Sequence, residues 1–183
     1  MALDYSEIKG RANLTYNVGG FMHFLFCRKS LCTSIPDPLD IEDIALATVD
    51  QLVKVTDPIT FAGNDGFTKM YCTLKKGTGK GVNNAEQDAT GLDLTYEGFV
   101  SGLNAEDLGN LQMAQSDELI VLGVTADGKY MRLGNSQVGA FLKYEFDVAT
   151  MGGGVRGAKV TISAFDKTVC IYEGTVTMAT PAS

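Results

Sequence analysis

The chain has 183 residues, enough for one domain with a sizeable core, and 45% hydrophobic against 20% charged residues is the balance of a folded globular protein. A net charge of −7 argues against a surface that grips nucleic acid by neutralising phosphates with Lys and Arg. No apolar run approaches the roughly 20 residues that span a bilayer, so no membrane partner is expected.

In chain order, "MALDYSEIKGRANL" carries acids where an export signal needs bases and lacks an unbroken apolar stretch, so residues 1–16 read as a polar N-terminal arm of a cytoplasmically made protein. "GGFMHFLFC" (19–27) reads as a strand, and so, less sharply, do "QLVKV" (51–55) and "GFTKMYCTL" (66–74). "PLDIEDIALATV" (38–49) fits either a short helix or a loop pinned by Pro36 and Pro38. The cysteines, Cys27, Cys32, Cys72 and Cys170, show no CxxC pair and read as free thiols, three of them inside apolar runs; a disulfide across the short Cys27 to Cys32 turn is the alternative.

"LKKGTGKGVNN" (74–84) invites comparison with a phosphate-binding loop, GxxxxGK followed by Ser or Thr. Lys80 follows Gly79, but Leu74 stands where the first glycine belongs and Gly81 where the hydroxyl should hold magnesium. The segment 75–90 reads instead as a long loop, basic at Lys75, Lys76 and Lys80 and acidic further on at Glu86 and Asp88.

Period-two alternation then dominates. "LDLTYEGFV" (92–100) sets Leu92, Leu94, Tyr96 and Val100 against Asp93, Thr95 and Glu97. "NAEDLGNLQMAQ" (104–115) is the one segment that reads well as a helix. Asn104 suits the N-cap, Glu106 and Asp107 suit the positive end of the dipole, and Leu103 could staple Leu108. Ala105, Leu108 and Leu111 would form the docking stripe.

"DELIVLGVTADGKYMRLGN" (117–135) is a hairpin reversed at Asp127 and Gly128, and its first arm, apolar on both faces, should be covered on both sides. "LKYEFDV" (142–148) places Leu142, Tyr144, Phe146 and Val148 opposite Lys143, Glu145 and Asp147. After the irregular segment 149–157, "AKVTISAF" (158–165) and "TVCIYEGTVTM" (168–178), joined through Asp166 and Lys167, read as another hairpin.

Chemistry is sparse. His23, the single histidine, lies in an apolar strand with no nucleophile pattern near it, and one His with dispersed Cys gives no metal-ligand spacing. "NNAEQDATGLD" lacks the ligand order of a calcium loop. Asp93 with Glu97, and Glu145 with Asp147, are carboxylate pairs on shared strand faces, but a glycosidase cleft would want sugar-stacking aromatics and the chain has no Trp. No catalytic, cofactor or metal site is expected.

The order "LTYEGFVSGL", helix, "DELIVLGVTADGKYMRLGN", "LKYEFDVATMGGGVRGAKVTISAF" resembles the tail tube (major tail) proteins of bacteriophages and prophages, relatives of the tubes of contractile injection systems. The likeness covers residues 90–175 best and the first ninety loosely. It implies a single mainly β domain over 1–183, an antiparallel β-sandwich or barrel-like fold with one flanking helix and long loops. It also implies a structural virion protein, not an enzyme, assembled in the host cytoplasm into stacked, commonly hexameric rings. Its partners would be itself and other tail proteins, with DNA only in passing through the lumen. Asp93, Glu97, Glu145 and Asp147 would then face the lumen, with Tyr144, Phe146, Val160 and Ile162 in the core, while the arm 1–16 and loop 75–90 reach neighbouring subunits. A tail terminator, a baseplate or hub piece, or a non-catalytic β-sandwich binding module are the alternatives.

Overall fold

The computed structural model describes residues 19–40, 42–43, 48–86, 89–102, 104–149 and 153–180. Its strands are β1 (Phe21–Arg28), β2 (Cys32–Ser34), β3 (Lys54–Val55), β4 (Thr60–Phe61), β5 (Thr68–Tyr71), β6 (Thr78–Glu86), β7 (Ala89–Ser101), β8 (Leu119–Thr125), β9 (Tyr130–Leu133), β10 (Phe141–Asp147), β11 (Gly157–Asp166) and β12 (Cys170–Tyr172), with one α-helix, α1 (Ala105–Gln115). The fold is mainly β and sandwich-like.

A six-stranded sheet runs β3-β12-β9-β8-β1-β5, a four-stranded sheet runs β10-β11-β7-β6, and β2 pairs with β4. Every ladder is antiparallel except β12 with β3. Two bridges tie the large sheets at their corners, Phe21 to Gly77 and Leu119 to Ala140, which gives the sandwich a barrel-like closure.

Alternation decides which faces meet. On β11, Ala158, Val160, Ile162 and Ala164 are buried while Lys159, Ser163 and Phe165 are exposed. Leu94 and Tyr96 of β7 and Leu142 of β10 join them against Phe24, Met70, Leu119, Val121 and Leu133 of the other sheet. β8 has no wet face. Its other side, Ile120, Leu122 and Val124, enters a second core with Leu25, Val55, Ile59, Phe67 and Tyr172. Each such side chain contributes about 1.5–3 kcal/mol relative to exposure, so a strand buried on both faces anchors two layers at once.

The second core is roofed by β2, β4 and irregular chain, through Ile35, Phe61 and Val176. Irregular backbone at a core needs partners for its polar groups, and Tyr172 supplies them. Its hydroxyl accepts from Ile59 N at 3.0 Å and donates to Thr175 O at 2.9 Å. Arg132, on β9 and fully buried, donates to Asp37 Oδ1 at 2.6 Å and to Pro36 O, and Ser136 N donates to the same carboxylate at 3.2 Å. That ion pair fastens the segment after β2 to the sheet.

Helix α1 starts as its residues dictate. Asn104 Oδ1 accepts from Asp107 N at 2.8 Å, and the Asp107 carboxylate accepts from Asn104 N. The docked face is Leu111 and Ala114 with Leu108 half-buried, whereas Ala105 is exposed, so the stripe lies one turn later than the spacing suggested. Leu103 falls outside the described residues. The β8–β9 hairpin turns where expected: Gly128 takes φ +80°, and Thr125 Oγ1 accepts from Lys129 N and donates to Asp127.

Several expectations change. Residues 75–90 are no long loop, because β6 runs through Thr78–Glu86 and pairs with β7 from Thr78↔Glu97 to Glu86↔Ala89. The strand over 51–55 is a 3-10 turn, Val49–Leu52, followed by two strand residues. Of 38–49, the described part contains no α-helix, and residues 41 and 44–47 lie outside the described set. β11 and β12 form no hairpin: Asp166 and Lys167 carry the chain from one sheet to the other, and β12 pairs with β9 and β3. Phe146, assigned to the core, is 45% exposed, and Val148, placed on the same strand face, is 66% exposed, because β10 extends past the neighbours that cover Leu142.

Phe21 is wedged between the sheets. A Cβ on Gly123 of β8 would lie 2.6 Å from its ring, and so would one on Gly79 of β6, while the Tyr96 ring centroid sits 4.5 Å away. Gly123→Ala is therefore expected to cost about 1–3 kcal/mol as overpacking, read as a lowered urea midpoint with unchanged slope.

Candidate functional site

The four acids expected from sequence gather on one surface, the outer face of the four-stranded sheet. Asp93 and Glu97 stand on β7, Glu145 and Asp147 on β10, and β11 lies between them. Cross-strand register builds rows: Glu97, Thr161 and Lys143 form one, and Phe99, Lys159 and Glu145 the next. On β6, Lys80 lies opposite Thr95. All four acids therefore share a face, as the alternation implied.

The face is not purely acidic. Lys159 Nζ lies 3.0 Å from Glu97 Oε1, and the Glu97 and then the Glu145 carboxylate hold its ammonium above the ordinary lysine value. Lys143 adds positive charge to the first row and Lys80 to the adjoining one, with Thr95, Ser163 and Phe141, so acids and lysines interleave. Phe141 and Phe165 are 46% and 51% exposed on this face as diagonal neighbours, and the half-buried Phe99 lies further along it, opposite Lys159. These aromatics went unremarked in the sequence, although Phe141 has the parity of Lys143 and Glu145, and Phe165 that of Lys159.

The basic residues of 75–90 are placed apart. Lys75, at φ +65°, and Lys76 make the turn between β5 and β6, whereas Lys80 and Glu86 belong to β6 itself; Asp88 lies outside the described residues. Gly77, Gly79 and Gly81 alternate with Thr78, Lys80 and Val82, and no helix follows. A phosphate cradle needs a loop opening onto a helix N-terminus, and this stretch is an edge strand with a glycine inner face.

Beyond the bridges at Gly77 and Ala140, which tie only the residue before each strand, both edges of this sheet are open to pairing: in the described ladders β6 bonds to β7 alone and β10 to β11 alone. Near β6 a cleft of about 390 Å³ opens between the sheets, walled by Phe21, Leu94, Tyr96 and Met131 with Lys80, Asp127 and Lys129 at its rim. No nucleophile and base converge in it. Burial, then the Lys69 ammonium, lower His23 below the ordinary imidazole value. Among the described residues no three His, Cys, Asp or Glu side chains gather as metal ligands, and no helix is long and apolar enough to cross a membrane. Comparison of the chain with family models, with curated proteins and with solved structures finds no match.

A carboxylate held above its ordinary value lies off this face. Asp166, 6% exposed at the end of β11, is pushed up by burial against the opposing pull of Asn135, the Lys167 N–H at 2.8 Å and Arg132. Its charged form is thus less favourable in the fold than in the unfolded chain. A raised folded value means that this group's stability contribution grows as pH falls from above that value to below the ordinary carboxylate range. Asp166→Asn is expected to raise the urea midpoint at pH 7, with the gain shrinking as pH falls through that window. A midpoint difference independent of pH would contradict this account.

Proposed function

We propose that the chain is a structural subunit that assembles with copies of itself into stacked rings, commonly hexameric, forming the tube of a phage tail. The observation that carries the reading is the pair of open edges, β6 and β10, on the same four-stranded sheet. Unpaired N–H and C=O groups on both margins allow one subunit's β6 to meet another's β10 and continue the sheet around a ring. Its outer face becomes the lumen wall. Asp93, Glu97, Glu145 and Asp147 then repel phosphate, and Lys159, bound to Glu97, is partly neutralised as a DNA contact. Other tail proteins are the further partners, DNA is cargo in transit, and the virion is the location. A terminator or a baseplate or hub piece could use the same edges.

One observation favours a second reading. Exposed Phe141 and Phe165, diagonal neighbours on β10 and β11, make a small aromatic patch of the kind that a non-catalytic β-sandwich binding module uses to hold a ligand. Negative-stain microscopy separates the two: rings or tubes support assembly, and a persistent monomer across concentration and salt leaves the binding module.

The turn and edge lysines offer a residue-level test. Lys75→Glu, Lys76→Glu and Lys80→Glu together should weaken ring or stack formation while leaving the circular dichroism spectrum and urea midpoint of the subunit nearly unchanged. All three are exposed, so the fold does not depend on them. Normal tubes from the triple variant would remove these lysines from the interface.

A further inference from the structure

Cys27 lies at the end of β1 and Cys32 opens β2, and the single 3-10 turn Lys29–Leu31 between them folds the two side chains together, Sγ to Sγ 3.7 Å. The pair is asymmetric. Cys27 is 5% exposed, with its sulfur 3.8 Å from Ile120 O, while Cys32 is half-buried and reaches Arg28 O at 3.7 Å. Cys72 and Cys170 are each 1% exposed and have no sulfur neighbour among the described residues.

We propose that Cys27 and Cys32 are an oxidisable dithiol, a modification site that exchanges with low-molecular-weight disulfides of the glutathione class. The two sulfurs are already neighbours, and a disulfide at about 2.05 Å needs them to close by less than the width of one atom. Cys32 is the sulfur a reagent can reach, and Cys27 is the one shielded from it. The contact also sets which thiol ionises. The hydrogen bond from Cys27 holds the Cys32 thiol below the ordinary value, and the same contact, followed by burial, pushes Cys27 up. A thiolate is the attacking species, so Cys32 strikes first.

The exchange balances in two steps. Cys32 thiolate attacks one sulfur of glutathione disulfide, whose S–S bond breaks; one glutathione leaves as thiolate and the other stays on Cys32 as a mixed disulfide. Cys27 loses its proton to the departing thiolate and attacks the Cys32 sulfur, expelling the second glutathione, which takes a proton from water. Two protein thiols are oxidised and one small disulfide is reduced to two thiols. The product staples the turn between β1 and β2, beside the roof of the second core, and should raise the urea midpoint.

The test treats purified full-length protein with glutathione disulfide, quenches with acid and maps peptides by mass spectrometry. Expected is a chain lighter by two hydrogens with Cys27 linked to Cys32, a stable glutathione on Cys32 in Cys27→Ala, and neither product in Cys32→Ala. Glutathione accumulating on wild-type Cys32, first reaction at Cys72 or Cys170, or an inert native chain would each overturn the proposal. Should Cys27→Ala not fold, phenylarsine oxide on the wild type decides. One arsenical per chain, displaced by a small dithiol but not by a monothiol, supports the pair, and no uptake refutes it.

Discussion

The architecture depends on β8 being buried on both faces. A strand with one wet face could be satisfied by a two-layer sandwich, but Leu119 and Val121 turn one way and Ile120, Leu122 and Val124 the other, all at or near zero exposure. The four-stranded sheet covers the first side. The second side has no sheet of comparable size to meet, so β2, β4 and the connections around Ile59, Phe67 and Val176 serve as the roof. Irregular chain does this only if its polar groups are satisfied, which is why Tyr172 and Arg132, both without solvent contact to speak of, reach into it. The buried guanidinium is costly in itself and gains from Asp37 a geometry that fixes one placement of the roof.

The outer face of the four-stranded sheet follows a different logic. Among the described residues nothing covers it, so its alternating positions hold charge, and acids and lysines interleave along cross-strand rows with exposed phenylalanines between them. A sheet face of this kind is soluble while alone and still has apolar surface to lose on contact. The tube reading uses the edges of the sheet, and the binding reading uses its face.

Legibility in the sequence followed the strength of the local signal. The β8–β9 hairpin, β7, β11 and the helix cap were readable because alternation, Asp127-Gly128 and Asn104 act over a few residues. β6 was not, because Gly77, Gly79 and Gly81 erase the apolar half of the alternation, and a strand whose inner face is glycine looks like a loop. Phe146 and Val148 had the right period for the core but lie where no neighbour covers them, which no pattern within one strand can reveal. Arg132 with Asp37 was equally hidden, since the partners are brought together only by the roof. The shared face of Asp93, Glu97, Glu145 and Asp147 was legible from parity, and the same parity puts Lys143 and Lys159 among them.

The crossover at Asp166 and Lys167 has a kinetic consequence. β12 pairs with β9 and, in parallel, with β3, joining Lys54 to Ile171 and Val55 to Tyr172, partners 117 residues apart in the chain. Closing so long a loop for two strand residues is entropically late work. The hairpins β8–β9 and β6–β7 form from neighbours and should lead, with the roof over the second core condensing last. In unfolding the order reverses: β12 and β3 part first from the margin of the six-stranded sheet, exposing Ile59, Phe67 and Cys170 while β9-β8-β1-β5 and the four-stranded sheet still hold.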